Sequence, residues 1–389
     1  MNNLTSADSI SAAFMESEEF RDSPLCPLFT LCSIYAGDAI SSDDLSGEKA
    51  IPVYGSNGIR SYADKANHLE NQVLVGRQGS VGTVYFAEAP FWAAEHALIV
   101  EPRTPRVSKS WLKYVLEAMD LSRLSRAVAQ PGINATSVSF QRVPHIPFEQ
   151  QKVIGDYLDR ETAEIDAAVA DLDKYVELLE LRARTLIKQQ LSGDHPQVKM
   201  GLLADAIIGI TYSPNDVVEE GGTKVYRSGN VQDSRINRQN MLAVNVEIPP
   251  HLKFQEDDIL MCSRNGSANL VGKNAIVGPE DLGHTWGAFM TVIRSDLNRY
   301  LFWFFRSPQF DAHRGLFSTS TINQLTTGIL NRIPVPLPPR GRRDEIVKAL
   351  ELEVEEIDAL IAESIKLRDL LLKRRSVLIT EVVTGRKQV

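Results

Sequence analysis

The chain has 389 residues, with 42 basic and 50 acidic side chains and a hydrophobic fraction of 43%. That length suits two or three domains with adequate cores, and the composition excludes a disordered chain. No run of eighteen apolar residues exists, which excludes a membrane-spanning helix. The three cysteines are too few and too scattered for a disulfide framework, so a reduced, cytoplasmic setting is expected.

Residues 1–25 form a polar tail with five acidic side chains and one basic, without the basic start and apolar stretch of a secretory signal. Residues 26–148 carry eleven charges of each sign and read as a globular half. Its β-rich runs QVLVG and TVYF flank a glycine turn, and one helical segment is expected from Ser110 to Ala127. Residues 149–193 follow the proline-bearing VPHIPFEQQ and close on Gly193. They place Ile165, Val169, Leu172, Val176, Leu179, Ala183 and Leu186 alternately four and three residues apart, the spacing of a coiled-coil seam. Residues 194–333 form a second globular half, with runs DILMCS and NAIVG and a helical segment from Asn298 to His313. Residues 334–389 enter through a proline-rich stretch and restart the seam at Leu350, Val354, Ile357 and Ile361. They then set Ser364, Arg368 and Arg375 on it and close near Gly385.

The order of elements is a duplication. At an offset of 192, Glu164-Ile165-Asp166-Ala167 meets Glu356-Ile357-Asp358-Ala359, Pro144 meets Pro336, Leu158 meets Leu350 and Gly193 meets Gly385. Each long helix is predicted to run about 40 residues, roughly 60 Å. A helix that long with one apolar stripe needs a partner, and the simplest is the other copy. The globular halves correspond more weakly: Val53-Tyr54 with Val225-Tyr226, Arg77-Gln78-Gly79-Ser80 with Arg264-Asn265-Gly266-Ser267, and Ile133-Asn134 with Ile322-Asn323. The expected fold class is α+β: two similar mixed α/β halves, joined and spaced by two long helices in an antiparallel coiled coil, with pseudo-two-fold symmetry.

No catalytic motif assembles. Gly266 to Lys273 has five residues between its glycines where a phosphate-binding loop has four, and Asn274 replaces the magnesium-binding hydroxyl. Gly76, Gly79 and Gly82 lack the dinucleotide spacing. The seven histidines make no helical i, i+4 pair, and no His/Cys cluster suggests a metal. There is no nucleophile elbow, and Ile248-Pro249-Pro250-His251 lacks the polar and aromatic ends of an amino-methyltransferase tetrapeptide. Polar recognition residues remain. Tyr54, Ser56, Asn57 and Arg60 in the first half match Tyr226, Arg227, Ser228 and Asn230 in the second. Arg77, Gln78, Ser80 and Asn134 match Arg264, Asn265, Ser267 and Asn323. Arg and Asn can read guanine and adenine edges, while hydroxyls and backbone amides take phosphates, so these are candidate DNA contacts.

The succession IPVYGSNG, VLVGRQGSVGTVYF, PFWAAEHALIV and PGINATSVSFQRVPHIPFEQQKVIGDYLD resembles the specificity subunits of type I restriction–modification systems. The resemblance covers nearly the whole chain and is looser in the second half, where Arg342-Arg343 stand in place of the usual Glu-Gln. It implies that each globular half is a target recognition domain reading one block of a bipartite double-stranded DNA site, with the helices as a ruler. It implies a non-catalytic chain that docks two methyltransferase subunits and two restriction/translocase subunits. S-adenosylmethionine, ATP and Mg are then expected on those partners, with no cofactor or metal on this chain. Arg374 and Arg375 are candidates for the methyltransferase-binding surface. The balanced halves suggest that partners supply much of the phosphate attraction. The competing reading is a coiled-coil scaffold with two protein-binding domains and no DNA role.

Overall fold

The structure, a computed structural model, describes residues 23–45, 51–125, 131–317 and 323–389. The acidic tail up to residue 22, the expected helix end at Ala127, and Ile322 lie outside the described residues. The chain packs as two units: the residues up to Asp173 together with Lys366–Val389, and Lys174–Ile365.

The first globular half contains β1 (Leu25–Pro27), β2 (Cys32–Ala36), β3 (Ile51–Gly55), β4 (Gly58–Ala63), β5 (Gln72–Gly76), β6 (Val84–Ala87), β7 (Trp92–Ala93) and β8 (Ala97–Pro102). Helices α1 (Lys109–Ala118) and α2 (Ala135–Ser139), strand β9 (Arg142–Pro144) and the long α3 (Phe148–Gln190) follow. An antiparallel sheet has the order β2-β8-β5-β6, and a smaller one the order β4-β3-β7, with β3 and β7 parallel. Strand β5, QVLVG, is buried at all five positions, which suits an apolar run covered on both faces.

The second half repeats this plan. Its strands are β10 (Gln197–Lys199), β11 (Asp205–Ile208), β12 (Val217–Val218), β13 (Thr223–Tyr226), β14 (Val231–Gln232), β15 (Arg235–Ile236), β16 (Leu242–Val244), β17 (Ile259–Cys262), β18 (Arg264–Asn265), β19 (Asn274–Ile276), β20 (Thr285–Trp286) and β21 (Met290–Arg294). Then come α4 (Asn298–Phe305), α5 (Pro308–Asp311), β22 (Asn323–Gln324), α6 (Thr327–Leu330), β23 (Pro334–Pro336) and the long α7 (Arg340–Val383). The sheet β11-β21-β17-β19 matches β2-β8-β5-β6 strand for strand, and β13 pairs in parallel with β20 as β3 does with β7.

The helical segments are shorter than the sequence predicts. Ser108 caps α1 by accepting from Trp111 N at 3.3 Å, and the left-handed Asp120 (φ 45°) lies just beyond its end. The segment from Asn298 to His313 breaks before Pro308, where Ser307 Oγ accepts from Phe310 N and starts α5.

The long helices have 43 and 44 residues and close before Gly193 (φ 145°) and Gly385 (φ 72°). In the first unit, Ile154, Leu158 and Ile165 of α3 share a core with Leu378, Ile379 and Val382 of α7 and with Trp111, Leu112 and Val115 of α1. In the second, Leu179, Ala183 and Ile187 of α3 meet Ile346, Leu350, Val354 and Ile357 of α7, beneath Trp303 and Phe304. The beginning of one helix thus packs with the end of the other, which makes the coiled coil antiparallel. The helices do not form a domain of their own: each gives one segment to each unit, because each globular half buries its apolar face on both.

Two details of the seam differ from expectation. Leu186 is only half-buried, and the buried row moves to Ile187 and Leu191, as an undistorted 3.6-residue helix drifts from a 3.5-residue repeat. The polar seam positions of α7 carry partners. Ser364 Oγ donates to Leu360 O at 2.7 Å, Arg368 pairs with Asp173 at 3.2 Å, and Arg375 pairs with Asp166 at 2.8 Å and with Glu117 of α1. No helix among the described residues is long and apolar enough to cross a membrane. Cys32 and Cys262 are buried and Cys26 half-buried, all as free thiols.

Candidate nucleic-acid interface

In the first half, β3 and β4 form a hairpin in which Gly55 pairs with Gly58 and Ser56-Asn57 make the tip. Beside it lies the Arg77–Ser80 turn that follows β5. Ser56 Oγ donates to His96 O at 2.8 Å and lies 3.4 Å from Gln78 N, so the two predicted loops meet at the turn after β7. Only glycine fits at position 76, where a Cβ would come within 2.3 Å of the carbonyl oxygens of Ser56 and Ser80. Between the loops is an open groove of about 590 Å³, lined by Ser56, Asn57, Arg60, Gln78, Ser80 and His96. Arg60 Nη1 lies 3.6 Å and His96 Nε2 3.2 Å from Glu95 Oε1.

Three first-half candidates stand elsewhere. Tyr54 is half-buried and packs against the core, stacked on Tyr85 at 5.7 Å and edge-on to Phe91 at 5.5 Å, and burial raises its phenol pKa. Arg77 does not line the groove; its Nη1 reaches Glu95 O at 3.4 Å. Asn134 is exposed and caps α2, its Oδ1 accepting from Ser137 N at 2.8 Å.

In the second half a larger groove, about 790 Å³, is lined by Arg227, Ser228 and Asn230 from the predicted set. Asn265 Nδ2 donates to Ser228 Oγ at 3.2 Å, joining the two loops as in the first half, and its Oδ1 accepts from Ser267 N at 3.0 Å. Asn323 pairs with Asn265 across β18–β22 and donates to Gly266 O at 3.0 Å. Arg264 holds its guanidinium over the ring of Phe289, 5.2 Å from the centroid.

Two candidates are corrected. Tyr226 is buried (1% exposed), and its hydroxyl donates to Asp281 Oδ1 at 2.6 Å. Asp281 also takes Arg238 Nε at 2.8 Å and Gly278 N at 3.0 Å, so Tyr226 belongs to a buried polar cluster and offers nothing to a ligand. Asn230 is 3% exposed. Its Oδ1 accepts from Arg227 N at 2.9 Å and its Nδ2 donates to Asn237 O at 3.0 Å, which fixes the loop in place of a base. Arg375 is a third correction. Its ion pairs with Asp166 and Glu117 leave it 17% exposed, so it belongs to the fold, whereas Arg374 is exposed.

The sequence reading missed His96 in the first groove and Tyr212, Gln232, Asn237, Gln239, Asn240 and Phe289 in the second. The strand registers make His96 and Phe289 equivalent: Gly76 pairs with Ala97 as Cys262 pairs with Met290, one residue later in each case. The segments FWAAEHALIV and HTWGAFMTVI share only an apolar pattern, which left this match invisible. Among the described residues no group of three or more His, Cys, Asp or Glu could hold a metal ion.

The family described as "Type I restriction modification DNA specificity domain" matches residues 28–170. A type I restriction enzyme specificity subunit of Escherichia coli, EcoprrI, is 32% identical over 130 residues. That match spans 32% of this chain and 32% of the relative's length. A chain solved in work on the assembly and conformational transition of the type I system has the same fold, with a TM-score of 0.64 at 12% identity over 94% of this chain and 98% of that one. The family match thus lies in the first half, where residues 28–170 carry the type I specificity domain, and the chain as a whole shares the fold of the solved type I chain.

Proposed function

We propose that this chain confers DNA sequence specificity on a type I restriction–modification complex, each globular half reading one block of a bipartite double-stranded site. The observation that carries the reading is the pair of grooves. Each is lined by the loop after β3 or β13 and the turn after β7 or β20, and each presents amide, hydroxyl and guanidinium groups of the kind that read base edges. The family domain over residues 28–170 supports the same reading.

The chain itself is non-catalytic in this reading, and binding and positioning are its whole task. Two methyltransferase subunits dock on it and carry S-adenosylmethionine; restriction/translocase subunits, with ATP and Mg, complete the complex in the cytoplasm. Arg374 is the remaining charged candidate for the docking surface. The test is a genome-wide map of methylated adenine in the source cell with and without this chain. Loss of methylation at one motif, two short specific blocks around a fixed gap, is the expected result. A map that does not change while a methyltransferase subunit co-purifies with the chain overturns the reading.

A further inference from the structure

Each half carries the same four-residue turn at the rim of its groove. In the first it is Ala94 to Ala97, closed by Ala97 N donating to Ala94 O at 2.9 Å; in the second it is Gly287 to Met290, closed by Met290 N donating to Gly287 O at 2.8 Å. Preceding strands β7 and β20 pair in parallel with β3 and β13, and following strands β8 and β21 pair with β5 and β17. The third residue of each turn is pinned through its carbonyl. His96 O accepts from Arg77 N and Ser56 Oγ, both at 2.8 Å. Phe289 O accepts from Ser263 N, Ser263 Oγ and Arg264 N at 3.0, 3.0 and 3.1 Å.

On this common backbone the two central side chains differ in kind: Glu95-His96 in one half and Ala288-Phe289 in the other. A single exposed aromatic is ordinary on a protein surface. Phe289 is distinguished by its place. It is 59% exposed, it lines a groove otherwise rich in amides, its backbone is fixed and the Arg264 guanidinium braces its ring. A rigid apolar group among hydrogen-bonding neighbours matches the one apolar feature of the major groove, the C5-methyl of thymine.

We propose that this turn is the specificity-determining element of each groove. In the second half Phe289 contacts the C5-methyl of a thymine, while His96, which lines the first groove, reads a base edge by hydrogen bonding. The proposal rests on the DNA-specificity reading above. The test uses the full chain assembled with its methyltransferase and the motif found by methylation mapping. In duplexes of that motif each thymine of the second block is replaced in turn by deoxyuridine, which removes only the methyl.

At one position the replacement is expected to weaken binding by the wild-type complex about tenfold, the scale of one unfavourable base pair. The same replacement should leave Phe289→Ala unaffected, while Phe289→Leu, which keeps an apolar side chain, retains the discrimination. Thymines of the first block should respond identically in all three proteins. If wild type and Phe289→Ala respond alike at every thymine, or if the second block has no A·T pair, the turn assignment fails and the specificity reading stands. If the wild-type complex shows no sequence preference, both fail. Equal thermal transitions for the three proteins exclude misfolding as the cause of a difference.

Discussion

Arg375 offers a sharp test of the packing, because the sequence pairs it with Arg374 and the structure separates them. Arg375 ties the end of α7 to Glu117 of α1 and Asp166 of α3, with side-chain exposures of 17%, 29% and 51% for the three residues. Arg375 Nη1 donates to Glu117 Oε1, and Glu117 Oε2 is buried without a hydrogen-bond partner, so removing the guanidinium strands a partly buried carboxylate. Breaking a fully buried pair costs about 3–5 kcal/mol and an exposed one less than about 1 kcal/mol. The intermediate burial of Arg375 and Glu117 places Arg375→Ala near 2 kcal/mol, about 4–8 °C in Tm for a unit of this size. Arg374→Ala, on the exposed side, should stay within about 0.5 kcal/mol. The assay is thermal and urea unfolding of the full chain, with the Arg375→Ala/Glu117→Ala double variant to isolate the pair. The double variant should recover about 1 kcal/mol relative to additivity. Equal transitions for Arg375→Ala and Arg374→Ala would refute the ion-pair argument and return Arg375 to the candidate docking surface.

Burial pushes the Asp281 carboxyl up, but hydrogen bonds from Arg238, Tyr226 and Gly278 N outweigh it and hold its pKa below the usual carboxylate range. A lowered folded pKa contributes stability that is complete above the unfolded value near 4 and is lost as pH falls through the folded value. The stability gap between wild type and Asp281→Asn should therefore narrow below about pH 4; a gap in urea unfolding that stays constant from pH 7 to pH 3 contradicts this. Leu350 is 1% exposed in the core of the second unit, and Leu350→Ala should cost about 2–4 kcal/mol of unfolding free energy in the same assay. For DNA binding, Arg227→Ala should lower affinity and reduce the salt slope by about one if Arg227, exposed at the groove, contacts a phosphate. An unchanged slope in a salt titration removes that contact.

The long helices were legible because their signal is local and periodic. Apolar residues four and three apart must face a partner, and a 192-residue offset supplies it. What periodicity does not carry is the division of each helix between two units, which depends on where the globular halves bury their apolar faces. It also does not say which polar seam residues find counter-charges. Arg375 sits on the seam because Glu117 and Asp166, distant in sequence, come within reach of it. The same limit applied to the helix over Ser110 to Ala127: the described part turns away from α1 at the left-handed Asp120, a residue type that enters that region without announcing it.

The grooves were half legible, and the reason separates framework from reading surface. Loop composition marked Ser56, Asn57, Arg60, Gln78, Ser80 and Arg227, which do line the grooves. Composition alone could not say which polar side chain a loop consumes in holding its own shape. Asn230 is taken by Arg227 N and Asn237 O, and Tyr226 by Asp281. Nor could it find Glu95-His96 and Ala288-Phe289, because equivalence there is set by backbone pairing and not by residue type. That failure has a physical meaning. The carbonyls of His96 and Phe289 do the structural work of the turn, accepting from main chain and serine, so the side chains are free to differ without cost to the fold. A position whose part in the fold is carried by its backbone lets two halves of one architecture recognise different chemistry. Similarity between the halves is therefore expected to be strongest in the helices and weakest at the residues that discriminate.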